Sequence, residues 1–165
     1  MENEKNADID RTERLSFLQR RRRGTVEREL LEGLLALESA REWILYPLER
    51  SDAICVQIRQ SLDLARPMAR QPRLIETEDE LGRVVLGLFS SRGENERILV
   101  MFTRSREIGV LELPLGEFRR IGVDLLRFDK DSLFAFAEGL GEGALLDHYV
   151  DGDIASYECR SWSTP

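Results

Sequence analysis

Two apolar runs on either side of a short polar loop, within residues 81–105, constrain this fold more than any other stretch of the chain. The first run is LGRVVLGLFSS, the loop is RGENE, and the second run is RILVMFTRS, which is the pattern of a β-hairpin. Both runs carry apolar side chains at consecutive positions, so other elements must cover both faces of the predicted hairpin. We therefore predict that the hairpin lies in the middle of a sheet.

Helices are expected before this hairpin. Residues 1–10 are polar and are predicted to be disordered. A first helix is predicted over residues 11–23 and ends at Gly24. A second helix begins after Thr25, which can cap it, and carries a continuous stripe of leucines up to Leu37. We expect these N-terminal helices to pack on the sheet.

The remaining elements complete the predicted fold class. Short strands are expected at residues 43–48, 53–58, 74–77, 110–113 and 123–128. A short helix is predicted over residues 114–120, and a C-terminal helix over residues 131–140. This order predicts a single α+β domain over residues 11–165, with a mixed, mainly antiparallel sheet built around the central hairpin and with the N-terminal helices and the C-terminal helix packed on it.

Charge and composition exclude some classes of protein. The net charge is −7, which disfavours a nucleic-acid-binding protein because phosphate recognition needs a basic surface. Residues 127–165 hold three basic and eight acidic residues, so the acidity is concentrated at the C-terminal end. No apolar run approaches about 20 residues and no signal peptide opens the chain. Together with only two cysteines, this predicts a cytoplasmic protein that neither spans nor binds a membrane.

The candidates for catalysis are few. His148 is the only histidine, and Cys55 or Cys159 could form a thiol nucleophile with it if the fold brought them together. Aspartate pairs at residues 129 and 131 and at residues 151 and 153 could bind a divalent metal, although helix capping and turn formation explain both pairs. We expect no catalytic residue, no cofactor and no metal, and a small cysteine- or metal-dependent hydrolase is an alternative.

A set of aromatic and acidic residues near the C-terminus forms the candidate partner-binding site. Aromatic anchors with surrounding carboxylates would suit a basic surface on a partner protein. The predicted site residues are Asp147, Tyr149, Asp151, Asp153, Tyr157, Glu158 and Trp162. The arginine run at residues 20–23 admits two interpretations, a phosphate or lipid-headgroup patch or a complement to a helix dipole, and the sequence leaves the oligomeric state open.

Several segments between Glu27 and Leu140 are similar to a known bacterial family. ERELLEGLLAL, WILYPL, a hairpin ending in VMFTRSRE, PLGEFRRI and VDLLRFDKDSLFAFAEGL together resemble the SseB-like (enhanced serine sensitivity) domain. Arg104 separates Thr103 from Ser105 within the family's phenylalanine-threonine-serine motif, and residues 129–131 replace its asparagine-proline-glycine turn. The resemblance implies a non-catalytic bacterial protein-binding domain. We expect an acidic immunity-type inhibitor of a toxin or effector, with a secretion chaperone as the neighbouring alternative.

Overall fold

The computed structural model describes residues 2–65, 71–151 and 154–163. Helices and strands follow one another along the chain in a mixed order. The elements are α1 (Glu2–Leu37), β1 (Ile44–Leu45), α2 (Leu48–Ala65), β2 (Arg73–Ile75), α3 (Glu78–Gly87), β3 (Arg97–Phe102), α4 (Ser105–Ile108), β4 (Leu111–Pro114), α5 (Leu115–Asp129), β5 (Ser132–Ala137), β6 (Glu142–Asp151) and β7 (Ile154–Ser163).

The strands form one seven-stranded sheet in the order β1-β4-β3-β5-β6-β7-β2. Each neighbouring pair is antiparallel, so the predicted α+β class with a mainly antiparallel sheet is confirmed. The two edge strands have only two and three residues, which leaves little exposed backbone for unwanted pairing. The longest pairing joins β6 and β7 at the C-terminal end of the chain.

Both faces of the sheet are covered at β3, as was predicted for the second apolar run of the hairpin. Ile98, Val100 and Phe102 of β3 point into the main core, where α1, α3 and α5 contribute buried side chains. Leu99 and Met101 point to the opposite face and pack in a smaller core with residues of α2. The alternation in β3 therefore places this strand between two apolar layers.

The prediction of a first hairpin strand is wrong, because residues 78–87 form the helix α3. The Thr77 hydroxyl accepts a hydrogen bond from the Glu80 backbone N–H at 3.2 Å, which caps the start of the helix. Leu81 and Val85 then lie four residues apart on the buried helix face. The sequence held this signal, since Thr77 and Glu80 have the spacing of a capping box.

Three further elements differ in type from their predictions. Residues 53–58 belong to the helix α2, and residues 123–128 belong to the helix α5, although both were expected to be strands. The predicted C-terminal helix at residues 131–140 is the strand β5. Lys130, in a left-handed conformation with φ 63°, ends α5 and turns the chain into β5, where pairing with β3 and β6 satisfies the backbone. The helix that packs on this part of the sheet is instead α5, which precedes β5.

The predicted helix break at Gly24 is also wrong, because α1 continues through Gly24 as one helix. At 36 residues, α1 is about 54 Å long at the usual rise of 1.5 Å per residue. Gly24 is buried where α1 crosses α4, so its lack of a side chain serves close packing. The structure has α1 beginning at Glu2, while the disorder expected for residues 1–10 and the single-domain assignment stay predictions.

Candidate functional site

The predicted site lies on the hairpin formed by β6 and β7, which extends beyond its neighbours in the sheet. Strand β5 pairs with β6 only as far as Asp147, and β2 pairs with β7 only over residues 157–159. In the described part of the sheet, residues 149–151 and 154–156 therefore pair only with one another. We call this two-stranded extension, together with Asp147 and Glu158 at its base, the acidic ribbon.

Large apolar side chains are exposed on the acidic ribbon. Tyr149 is 48% exposed, Val150 is 64% exposed and Ile154 is 72% exposed. Tyr149 pairs with Ser156 and Asp151 pairs with Ile154, and directly paired residues of an antiparallel hairpin share a face. The ribbon thus carries exposed apolar surface beside a carboxylate, at a place where no described strand pairs with its edges.

The base of the ribbon is acidic. Asp147 and Glu158 are a cross-strand pair, which places two carboxylates side by side. Asp147 Oδ1 accepts a hydrogen bond from Ser132 Oγ at 2.6 Å, and Glu158 Oε1 accepts one from Arg160 Nε at 2.7 Å. The negative charge of Asp147 raises the pKa of the Tyr149 phenol above its usual value. Asp153, also predicted for the site, lies outside the described residues.

Tyr157 and Trp162 are buried, which corrects the prediction that they are exposed aromatic anchors. Trp162 is 5% exposed and packs edge-to-face on Phe136, with ring centroids 5.7 Å apart. Tyr157 is 4% exposed on the other face of the hairpin, and its ring stacks on His148 at 4.9 Å. Its hydroxyl donates a hydrogen bond to Glu78 Oε1 at 3.3 Å. Both side chains fill cores, so the ribbon offers Tyr149 as its exposed aromatic residue.

A buried polar cluster next to the ribbon is built around Asp129, for which the sequence suggested a capping or turn role or a metal ligand. Asp129 Oδ2 accepts hydrogen bonds from Thr103 Oγ1 at 2.8 Å and from the Ser132 backbone N–H at 3.1 Å. Burial raises the pKa of the Asp129 carboxyl despite these donors. The cluster ties the end of β3 to the turn between α5 and β5, which is a structural role. The bond from Ser132 agrees with the turn role predicted for Asp129, because an Asp before a turn often accepts local backbone hydrogen bonds. The bond from Thr103, which is distant in sequence, had no local signal.

The two cysteines do not form an activated thiol site with His148. Cys55 lies on α2 and packs on the face of the sheet opposite to His148. Cys159 shares the face of His148 but is buried, and burial raises its pKa to about 11. Burial also raises the pKa of Cys55. A nucleophilic cysteine needs a lowered pKa, so the local environments oppose this chemistry.

Both thiols are therefore expected to react with iodoacetamide at pH 7 more slowly than free cysteine, because each is buried and protonated. The rate should increase as the pH is raised towards 11, since the thiolate fraction then grows. Mass spectrometry of the alkylated protein over time measures both sites. Unfolding in urea supplies the control, in which both thiols should react at the ordinary rate. A native cysteine that outpaces free cysteine at neutral pH would revive the hydrolase alternative.

The aspartate pairs were the candidate metal ligands in the sequence. Within the described ranges, no three His, Cys, Asp or Glu side chains lie close enough together to hold a metal ion. In that same part of the chain, no helix has the length and apolar character needed to cross a bilayer. Comparisons with protein-family models and with curated proteins gave no match to the chain. The resemblance to the SseB-like domain thus stays a prediction.

Proposed function

We propose that the chain is a non-catalytic protein-binding domain whose acidic ribbon binds a basic surface on a partner protein. The observation that carries the proposal is the exposure of Tyr149, Val150 and Ile154 beside the carboxylates of the ribbon. Apolar anchors bordered by charged groups are typical of protein interfaces, where the anchors supply affinity and the charges supply orientation and rate.

The shape of the ribbon supports the same proposal. A two-stranded extension with both edges unpaired can enter a cleft or add a strand to a partner's sheet. The net charge of −7 would steer such a domain towards a basic partner and away from nucleic acid. The finer form of the proposal is a bacterial immunity-type inhibitor, whose ribbon covers a basic cleft of a toxin or effector. The proposed site of action is the cytoplasm, a reducing compartment in which two free thiols such as these are common.

Variants of the ribbon test the proposal on a partner captured from native lysate of the source cells. Replacing Tyr149 and Ile154 by alanine should increase the dissociation rate about tenfold or more, because truncated anchors act mainly on that rate. The charge reversal Asp151→Lys should instead slow association, most steeply at low salt. Surface plasmon resonance at several ionic strengths separates the two effects.

The control variant is Glu138→Lys, which makes the same change in net charge. Glu138 is exposed and follows β5, so it lies at the opposite end of the sheet from the ribbon. Its association rate should change far less than that of the Asp151 variant. Equal effects of the two charge reversals, together with unchanged dissociation of the anchor variant, would show that the ribbon is not the binding surface.

A further inference from the structure

A second surface, whose charge is opposite to that of the acidic ribbon, lies beside the α4 helix. A cavity of about 620 Å³ opens between α1, the start of α2 and α4. Three arginines, Arg21, Arg28 and Arg106, line this cavity together with the apolar residue Leu48. We call this space the α4 cavity. Arg21 belongs to the arginine run at residues 20–23, for which the sequence left a role open.

Arg28 is held in a fixed orientation in the wall of the α4 cavity. Its Nη1 donates hydrogen bonds to the carbonyl oxygens of Tyr46 and Ile108, each at 3.0 Å. Its Nη2 donates to the Leu45 carbonyl oxygen at 2.9 Å, and its Nε lies 3.3 Å from Glu32 Oε1. The three carbonyl acceptors fix the Arg28 guanidinium without adding a negative charge. Among these contacts, only Glu32 offsets its positive charge.

The cavity carries an excess of positive charge in an acidic protein. Arg21 and Arg106 form no ion pair with any side chain that the structure describes. The acidic residue in the wall is Glu107. Even with Glu32 counted, three guanidinium groups face two carboxylates, whereas the whole chain has a net charge of −7. A local excess of this sign attracts anions.

We infer that the α4 cavity binds a small organic phosphate. Its volume falls within the range of about 300–1,000 Å³ that is common for small-molecule sites. Guanidinium groups match the oxygen atoms of a phosphate with paired hydrogen bonds. Leu48 lines the same space, so a ligand can place a phosphate near Arg21 and Arg106 and an apolar part near Leu48.

Phenyl phosphate and inorganic phosphate are the probes for this site. Isothermal titration calorimetry of the full chain should show phenyl phosphate binding with a Kd of about 1 mM or tighter. Inorganic phosphate should bind more weakly, because it has no apolar group to contact Leu48. Equal affinities for the two probes would mean that the site takes free phosphate, which contradicts the organic part of the inference.

The double variant Arg21→Gln, Arg106→Gln should weaken binding of phenyl phosphate about tenfold or more, because two charged donors are lost. Both side chains are exposed, and neither belongs to a described ion pair, so the fold should tolerate the change. Arg22→Gln is the control for the change at Arg21, since Arg22 is its exposed neighbour in α1 but does not line the cavity. It should leave the Kd within about twofold. Absence of binding, or an equal loss in the control, would overturn the inference.

Discussion

Replacing Trp162 by alanine is expected to destabilise the fold by about 3–5 kcal/mol, the usual cost of deleting a large buried aromatic side chain. Trp162 is 5% exposed, packs on Phe136 and lies over Gly143, where an added Cβ would overlap the indole ring. The indole therefore fills a defined space between β6, β7 and α2. Urea unfolding followed by circular dichroism measures the loss, because a shifted midpoint reports stability.

The matched comparison is Tyr149→Ala, an aromatic truncation in the same hairpin. Tyr149 is 48% exposed and lies where the hairpin has no neighbouring strand, so its loss should change stability by no more than about 0.5 kcal/mol. The pair of variants separates a structural aromatic residue from one that is available to a partner. A Trp162 variant as stable as the wild type would mean that the indole does not support the fold as described.

The substitution Gly24→Ala is expected to destabilise the protein by about 1–3 kcal/mol, the usual cost of overpacking a buried contact. A Cβ at this position would lie 2.6 Å from the carbonyl oxygen of Glu107 and 3.1 Å from its carbonyl carbon. Both atoms belong to the backbone of α4, so no side-chain rotation can relieve the overlap. The two helices would have to separate, and thermal unfolding should detect the change as a lower melting temperature.

Gly33→Ala in the same helix is the control, and its effect should have the opposite sign. Apart from its chain neighbours and the nearby backbone of α1, a Cβ at Gly33 would have no described atom within 4 Å, and the residue is exposed. Alanine then favours the helix by about 0.5–1 kcal/mol, because glycine loses more backbone freedom on folding. If both substitutions stabilised the protein, α1 and α4 would not be in close contact at Gly24.

The parts of the fold that were predicted correctly are those with strong alternation or a clear stripe. The run at residues 97–102 alternates between two apolar layers, which fixes β3 as a strand with cover on both faces. Leu31 and Leu35 lie four residues apart in the leucine stripe of α1, and both are buried. In such segments, the local pattern and the tertiary contacts favour the same element.

The elements predicted with the wrong type, helix for strand or strand for helix, are those whose short apolar runs fit both the helical and the strand periodicity. The apolar residues of α3 also fit the alternation of a strand, but the Thr77 cap and three acidic residues in the first turn favour a helix. In β5, Leu133 and Ala135 face one core while Phe134 faces the other. Its strand conformation depends on hydrogen bonds to β3 and β6, which are distant in sequence and so leave no local signal.

By itself, the sequence determined an α+β chain with a strand buried on both faces and an acidic C-terminal segment rich in aromatic residues. Only the tertiary structure decided which of those aromatic residues are exposed and so available to a partner. Trp162 and Tyr149 lie on the same face of the hairpin, yet Trp162 is buried and Tyr149 is half exposed. The difference arises because Trp162 packs on Phe136 of β5, whereas β5 ends before Tyr149. Alternation along a strand carries no information about where its neighbours end.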